Sequence, residues 1–414
     1  MKEERETTVV IGAGAAGLMA AIFAAEGEQR RVVVVERTRD GGRKILISGG
    51  GRCNVLPSEL TSARYVTASS PNSMRKMLLS WPLAAQRRFF EEELGVPLAL
   101  EPETGKLFPV SNRAVDVRDG LISMARSRGV RFEFESEVTS LACAREGWRV
   151  GLRDGREIRG AAVVLASGGL SVPKTGSDGA GLRLAAELGH AIHPTYPALT
   201  PLTCDPPRHA ALAGISLSVT LTAPLARGAF SAQGGFLFTH RGYSGPSVLD
   251  ISHLAVRSAS GERQSILAQW TELGAEEWEQ ALLARTGTVA SILRRRLPDR
   301  LADLLIEESG VDPHRPLGQL RRDERASLVE LLARYPLPWT GDEGYRKAEV
   351  TGGGVSLAEV NPATLESRLH PGLFLCGEIL DAFGPIGGYN FAWAWATGRA
   401  AGRGAAGRPL CDDG

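Results

Sequence analysis

The chain has 414 residues, 43% hydrophobic and 23% charged, with a formal net charge of +1. That length implies two or three domains of ordinary globular composition, and the charge balance excludes a strongly basic nucleic-acid face as the default partner. Five scattered cysteines (53, 143, 204, 376 and 411) contain no CxxC pair, which excludes a zinc ribbon or a disulfide scaffold and leaves no metal site to expect.

Residues 8–11 read as an apolar strand, followed by Gly12, Gly14 and Gly17. A helix starting near Ala15 and Ala16 comes next, and then a second strand over residues 32–35 that closes with Glu36 and Arg37. Each of these residues has a separate job in holding a dinucleotide. Gly12 allows the sharp turn, Gly14 lets a pyrophosphate approach the backbone, and Gly17 lets the helix pack on the strand. The phosphates then face the free N–H groups and positive dipole of the helix. Glu36 stands where its carboxylate can accept hydrogen bonds from ribose hydroxyls, and an acid there disfavours a 2′-phosphate. FAD or NAD is therefore expected before NADP. The uncharged run 9–25 also admits a signal peptide or membrane helix, but its three glycines and the acidic-leaning leader 1–6 oppose that. No other run reaches spanning length, and a cytoplasmic, membrane-free setting is expected.

Arg43 and Lys44 precede the apolar residues 45–47, and Ser48, Gly49, Gly50, Gly51, Arg52, Cys53 and Asn54 follow them. Consecutive glycines beside cationic side chains suit a loop lying against a flat, phosphate-bearing cofactor. Cys53, without a partner thiol, reads as a packing residue. Residues 73–94 and 116–128 read as helices, 130–134 as a strand, and 137–152 as a hairpin layer turning again at Asp154-Gly155. Residues 163–166 read as a buried parallel strand. From Ala166 through Ser167 and Gly168 the backbone would pass beside the cofactor, and Asp178 would cap a helix over 182–188.

Prolines 194, 197, 201, 206 and 207 mark a boundary. The expected organisation is a first part of the nucleotide domain at 1–192 and a second at 346–414. The insert at 193–345 would hold a β-rich part (193–264), a helical part (265–335) and a return strand (336–345). Within the insert, His240, Arg241 and Tyr243 are chemically suited to donate a proton to a conjugated carbonyl compound or to hold its oxygen, with support of a domain junction as the rival reading. Arg294 to Arg296 read as a solvated helix face. Strand character returns at 372–376, followed by Gly377-Glu378, then Gly387-Gly388-Tyr389-Asn390 and a helix over 390–401, whose amino end could stabilise the negative charge of a reduced flavin. Residues 402–407 read as a loose end. No GxSxG, HExxH, Walker loop or second GxGxxG accompanies these motifs.

The segments GRKILISGGGRCN (42–54), GKLFPVS (105–111), ASGGLSVPKTGSDGAG (166–181), FTHRGYSGPSVLDIS (238–252), VTGGGVSLAEVNPATLESR (350–368) and GLFLCGEILDAFGPIGGYNFAWAWATG (372–398) together resemble the BaiN/YhiN-like family of bacterial flavoproteins. The resemblance implies an α/β protein with a discontinuous, Rossmann-like FAD-binding domain and an inserted β-barrel-like plus helical domain. It implies non-covalent FAD held by Gly12, Gly14, Gly17, Glu36, Lys44, Gly50, Gly51, Ser167, Gly168, Gly377, Glu378, Gly388, Tyr389 and Asn390, with Val138 near the adenine. The expected activity is hydride transfer between flavin and a small or medium organic substrate, as enone reduction or as amine or carbon oxidation, with NADH or NADPH as a possible diffusible donor. An RNA-modifying flavoprotein and a flavin-bound regulatory protein without turnover are the alternatives. Oligomeric state is left open.

Overall fold

Five parallel strands, β1 (Thr7–Ile11), β2 (Arg31–Val35), β3 (Arg131–Glu133), β4 (Ala162–Leu165) and β5 (Leu373–Leu375), form one sheet in the order β5-β4-β1-β2-β3. This is a computed structural model describing residues 7–26, 31–145, 147–258 and 263–407; the leader 1–6 and Cys411 lie outside them. β1, β4 and β5 are buried along their whole length, which is why their sequences are continuous apolar runs instead of alternating ones.

Two helices cover one region of that sheet. α1 (Ala15–Ala24) is buried at every position but its first, and it packs along α2 (Tyr389–Ala405). The approach is close because α2 is glycine-bearing: a Cβ on Gly398 would lie 2.4 Å from Ala16 O, and one on Gly402 would lie 2.3 Å from Ala20 O. The stretch expected to be a loose end is therefore helical through Ala405. Its glycines are contact residues, not signs of flexibility.

The expected helix over 73–94 is broken into Pro71–Leu78, Leu83–Arg88 and a π-helical turn Phe89–Glu93. Pro82 is the cause, since it biases the preceding residue out of the helical region and has no N–H to donate. Leu56–Pro57, Lys106–Pro109 and Leu98–Glu101 form a small antiparallel sheet with the Lys106 strand in the middle. The sequence reading did not include it.

The chain divides into two compact units, residues 1–196 with 350–414, and residues 197–349. The second unit has its own apolar core and an antiparallel seven-stranded sheet, with Tyr335–Pro336 and Gly341–Asp342 at its ends. The paired strands Ser216–Pro224 and Ala229–Phe238 dominate it. A helix, Pro246–Val256, interrupts the part expected to be β-rich. Gly245 (φ +96) turns the chain against Gly235, and Pro246 then occupies the first helical position, where its missing N–H costs nothing.

Candidate cofactor site

Gly12 leaves β1 with φ +101, and a Cβ there would lie 2.6 Å from Ala166 O. A Cβ on Gly17 would lie 1.8 Å from Gly12 O. The protein itself thus requires both glycines. Gly14, the residue before α1, has an ordinary φ of −78, and a Cβ there would meet nothing within 4 Å. It faces open space at the helix amino end beside Ala15 and Ala16, where a pyrophosphate needs room.

Glu36 fixes that turn from the end of β2. Its Oε2 accepts from the Ala13 N–H at 2.8 Å, and its Oε1 accepts from Thr38 N at 2.8 Å and Thr38 Oγ1 at 2.7 Å. A carboxylate has about four acceptor sites, so one remains for a ribose hydroxyl. Arg37 is paired with Asp178, whose Oδ1 also accepts from Ala180 N, so the expected capping acid serves two partners. Val138 is buried in the adjoining hairpin.

The 42–54 segment reaches both late motifs. Lys44 Nζ donates to Ser171 Oγ at 2.6 Å and is ion-paired with Glu378, while Glu378 Oε1 accepts from Ser171 Oγ at 2.5 Å and Thr351 N at 3.0 Å. Asn54, with its amide oriented to satisfy both ends, donates to Leu56 O at 3.1 Å and accepts from Gly388 N at 3.0 Å. Between these ties Gly49, Gly50 and Gly51 are all left-handed, and a Cβ on Gly50 would meet nothing within 4 Å. The Ser48 hydroxyl donates to Ile45 O at 2.8 Å, which turns the chain into that glycine run.

Several side chains expected at the cofactor are committed elsewhere. Arg43 pairs with Asp40. Arg52 lies 4.0 Å over the Phe108 ring and pairs with Glu101, so its guanidinium holds the small sheet. Cys53 is buried at φ +62, and burial pushes its thiol up to about 12, which removes any thiolate role. Asn390 binds Gly384 N and Gly384 O, both at 2.9 Å, and so fixes the loop before α2. The Tyr389 hydroxyl accepts from Arg64 at 3.0 Å.

Ser167 passes its backbone beside the Gly12 turn, while its hydroxyl is buried against Gly181, 1.8 Å from where a Cβ there would sit, without a hydrogen-bond partner. Gly377 (φ +79) donates its N–H to Thr397 Oγ1 and leans on Ala16. Gly387 (φ +108) and Gly388 (φ +93) turn the chain into α2. Open glycines at 14 and 50, a spare acceptor on Glu36 and glycine turns at the starts of α1 and α2 all fit FAD.

Tyr243, expected as a proton donor, needs correction. It is fully buried in the core of the second unit, and its hydroxyl is engaged with His209 Nδ1 at 2.9 Å. His209 Nε2 lies 2.9 Å from the Tyr335 hydroxyl, which donates to Glu308 at 3.2 Å. His240 and Arg241 are exposed at the neighbouring turn, where the Arg241 carbonyl accepts from Cys204 N.

Sequence reasoning missed two polar residues of the first unit. Thr351 Oγ1 accepts from the N–H groups of Leu170 and Ser171 at 2.7 and 3.1 Å; its only signal was its place before three glycines. Asp381 is buried and accepts from Ala68 N, Ser69 N and Ser69 Oγ at 2.8 to 2.9 Å. Ser69 Oγ in turn lies 3.2 Å from His193 Nε2. Among the described residues no cluster of metal-ligating side chains occurs, and no helix is long and apolar enough to cross a membrane.

Residues 6–404 match the profile described as the HI0933-like protein Rossmann domain. A ribosomal RNA dihydrouridine synthase of Escherichia coli is 34% identical over 95% of this chain and 96% of its own length. A 3-dehydro-bile acid delta(4,6)-reductase of Clostridium scindens is 33% identical over 97% of this chain and 99% of its own. Among solved structures, the open conformation of a flavocytochrome c3 fumarate reductase is 17% identical with a TM-score of 0.49, over 97% of this chain and 78% of that one. Near-complete coverage at such identity, on a chain whose glycine turn, acid and late loops are in place, shows that it belongs to the HI0933-like family of Rossmann-domain flavoprotein oxidoreductases.

Proposed function

We propose that this protein is an FAD-dependent reductase of a carbon–carbon double bond conjugated to a carbonyl, drawing its electrons from NADH or NADPH. The relatives support the bond class. A bile acid with a 3-oxo group and unsaturation at positions 4 and 6 is an extended enone, and forming dihydrouridine saturates a ring bond conjugated to a carbonyl. Both reactions add a hydride and a proton across the same kind of bond.

The observation that carries the cofactor reading is the meeting of distant segments around one cradle. Lys44 joins Glu378, Asn54 joins Gly388, and Glu36 ties β2 to the Gly12 turn. Bound there, FAD would supply hydride transfer. The chain's own part is to hold it. Glu36 and the α1 amino end would take the ribose and phosphates, the 49–51 loop would lie along the cofactor, and the Gly387-Gly388 turn with α2 would face its ring end. The near-neutral net charge favours a small or medium organic enone over a polyanionic substrate.

The test is anaerobic reduction of the FAD-loaded protein with NADH against NADPH, followed by reoxidation with steroid enones, simple cyclic enones, amines, uridine and uridine-containing RNA. Reoxidation by enones with saturated product supports the proposal. Turnover of RNA alone replaces the substrate class, and turnover of amines alone overturns the reaction.

A further inference from the structure

The Lys106–Pro109 strand passes between two of the loops that frame the cofactor site. Phe108 lies 3.0 Å from where a Cβ on Gly49 would sit, and Lys106 Cε and Cγ lie 3.8 and 3.9 Å from where a Cβ on Gly387 would sit. The lysine stem is thus laid beside Gly387, the first of the two glycines that lead into α2. Its cross-strand neighbour Glu101 carries an opposite charge, but that carboxylate is hydrogen-bonded to Arg52 at 3.0 Å and Thr104 at 2.5 Å and so is only shared with Lys106. Among the described residues Lys106 forms no salt bridge, whereas Lys44 is paired with Glu378. The first turn of α2 contains no acid. A side-chain cation that shares its acidic neighbour Glu101 with Arg52 therefore accompanies the positive end of a 17-residue helix.

We propose that Lys106 is the cation that supports negative charge on the pyrimidine edge of the FAD ring. This rests on the FAD reading above. Reduced flavin and flavin adducts at N5 place negative charge near N1 and the O2 carbonyl, and a fixed ammonium there favours those states over the oxidised ring. Lys106 acts as the electrostatic partner, and Gly387 takes the left-handed φ +108 that the turn into α2 requires.

The experiment uses full-length FAD-loaded protein with Lys106→Met and Lys106→Arg. FAD stoichiometry is read from absorbance, and sulfite is then titrated as a probe that adds to N5. The sulfite dissociation constant should rise about tenfold in the Met variant and stay within about twofold of the parent in the Arg variant, as expected for one charge at short range in a partly exposed site. The flavin midpoint potential, read against redox dyes, should fall in the Met variant and hold in the Arg variant. Unchanged sulfite affinity and potential in Lys106→Met at equal FAD content overturn the proposal. Failure of the parent protein to take up FAD overturns the cofactor reading instead. Lys106→Gln gives a second removal of charge should the Met variant not fold.

Discussion

Glu36 Oε2 accepts the Ala13 N–H at 2.8 Å, so the acid that ends β2 holds the glycine turn that ends β1. Its other oxygen is filled by the Thr38 N–H and hydroxyl. The residue is therefore a structural brace as well as a candidate ribose acceptor, and the two roles separate by substitution.

Glu36→Gln keeps an acceptor for one of these partners but brings a donor that nothing awaits. A loss of about 1–2 kcal/mol in urea unfolding of the apoprotein is expected, with weakened FAD retention. Glu36→Arg should abolish FAD retention. An apoprotein of parental stability for Glu36→Gln would remove the bracing role, and parental FAD occupancy in Glu36→Arg would remove the ribose role.

Lys44 and Glu378 are half-buried and bring sequence-distant segments together. Lys44→Met strands a carboxylate that still has Ser171 and Thr351 as donors, while Lys44→Met with Glu378→Gln removes both charges. The single variant should lose about 1–3 kcal/mol and the double variant less, because an unpaired, half-buried charge is worse than none. Thermal melts of the four-member cycle decide it; equal losses would mean that the pair is solvated.

The hydrogen-bonded row in the second unit has a fixed direction. Glu308 only accepts when ionised, so Tyr335 donates to it, His209 Nε2–H donates to Tyr335, and His209 Nδ1 accepts from Tyr243. Tyr243→Phe should cost about 1–3 kcal/mol by leaving His209 Nδ1 unpartnered, with FAD content and turnover unchanged. A turnover loss at unchanged stability would restore Tyr243 as a proton donor.

Burial holds His209 down at about 4, below its ordinary 6.5. The neutral form is favoured in the fold, so the unfolded chain binds the extra proton first. The stability is present above pH 6.5 and is lost as pH falls through 6.5 toward 4, on the order of 3 kcal/mol. His209→Gln can accept from Tyr243 and donate to Tyr335. It should flatten the fall of urea-derived stability across that window by one proton; a parental slope would refute the assignment.

What could be read from sequence was what is local. The turn from Gly12 to Gly17 and the acid at Glu36 each act within one strand–helix–strand unit, and the structure forms β1, α1 and β2 there. The sequence could not show side-chain commitments made across hundreds of residues. Arg52 looks the same whether it meets a phosphate or Phe108, Asn390 the same whether it meets a flavin or Gly384, and Tyr243 the same whether exposed or in a core. Lys106 was hidden because its strand pairs locally with Glu101 while its stem lies against Gly387, far along the chain.

The three glycines of the first turn make the sharpest separation of folding from binding. A Cβ at position 17 would sit 1.8 Å from Gly12 O, and at position 12 it would meet Ala166 O at a left-handed φ, so Gly17→Ala and Gly12→Ala should both fold poorly or not at all. Position 14 has an ordinary φ and open space around it. Gly14→Ala should therefore give apoprotein as stable as the parent, or slightly more so because the unfolded chain has less freedom to lose. If the space belongs to a pyrophosphate, the same methyl group should weaken FAD binding by about tenfold or more, since contact at the helix amino end requires the bare backbone. Isothermal titration of the apoprotein with FAD, alongside its melting curve, tests both halves. Parental affinity would place the phosphates away from Gly14, and a collapsed melt would mean that the turn tolerates less than its geometry allows.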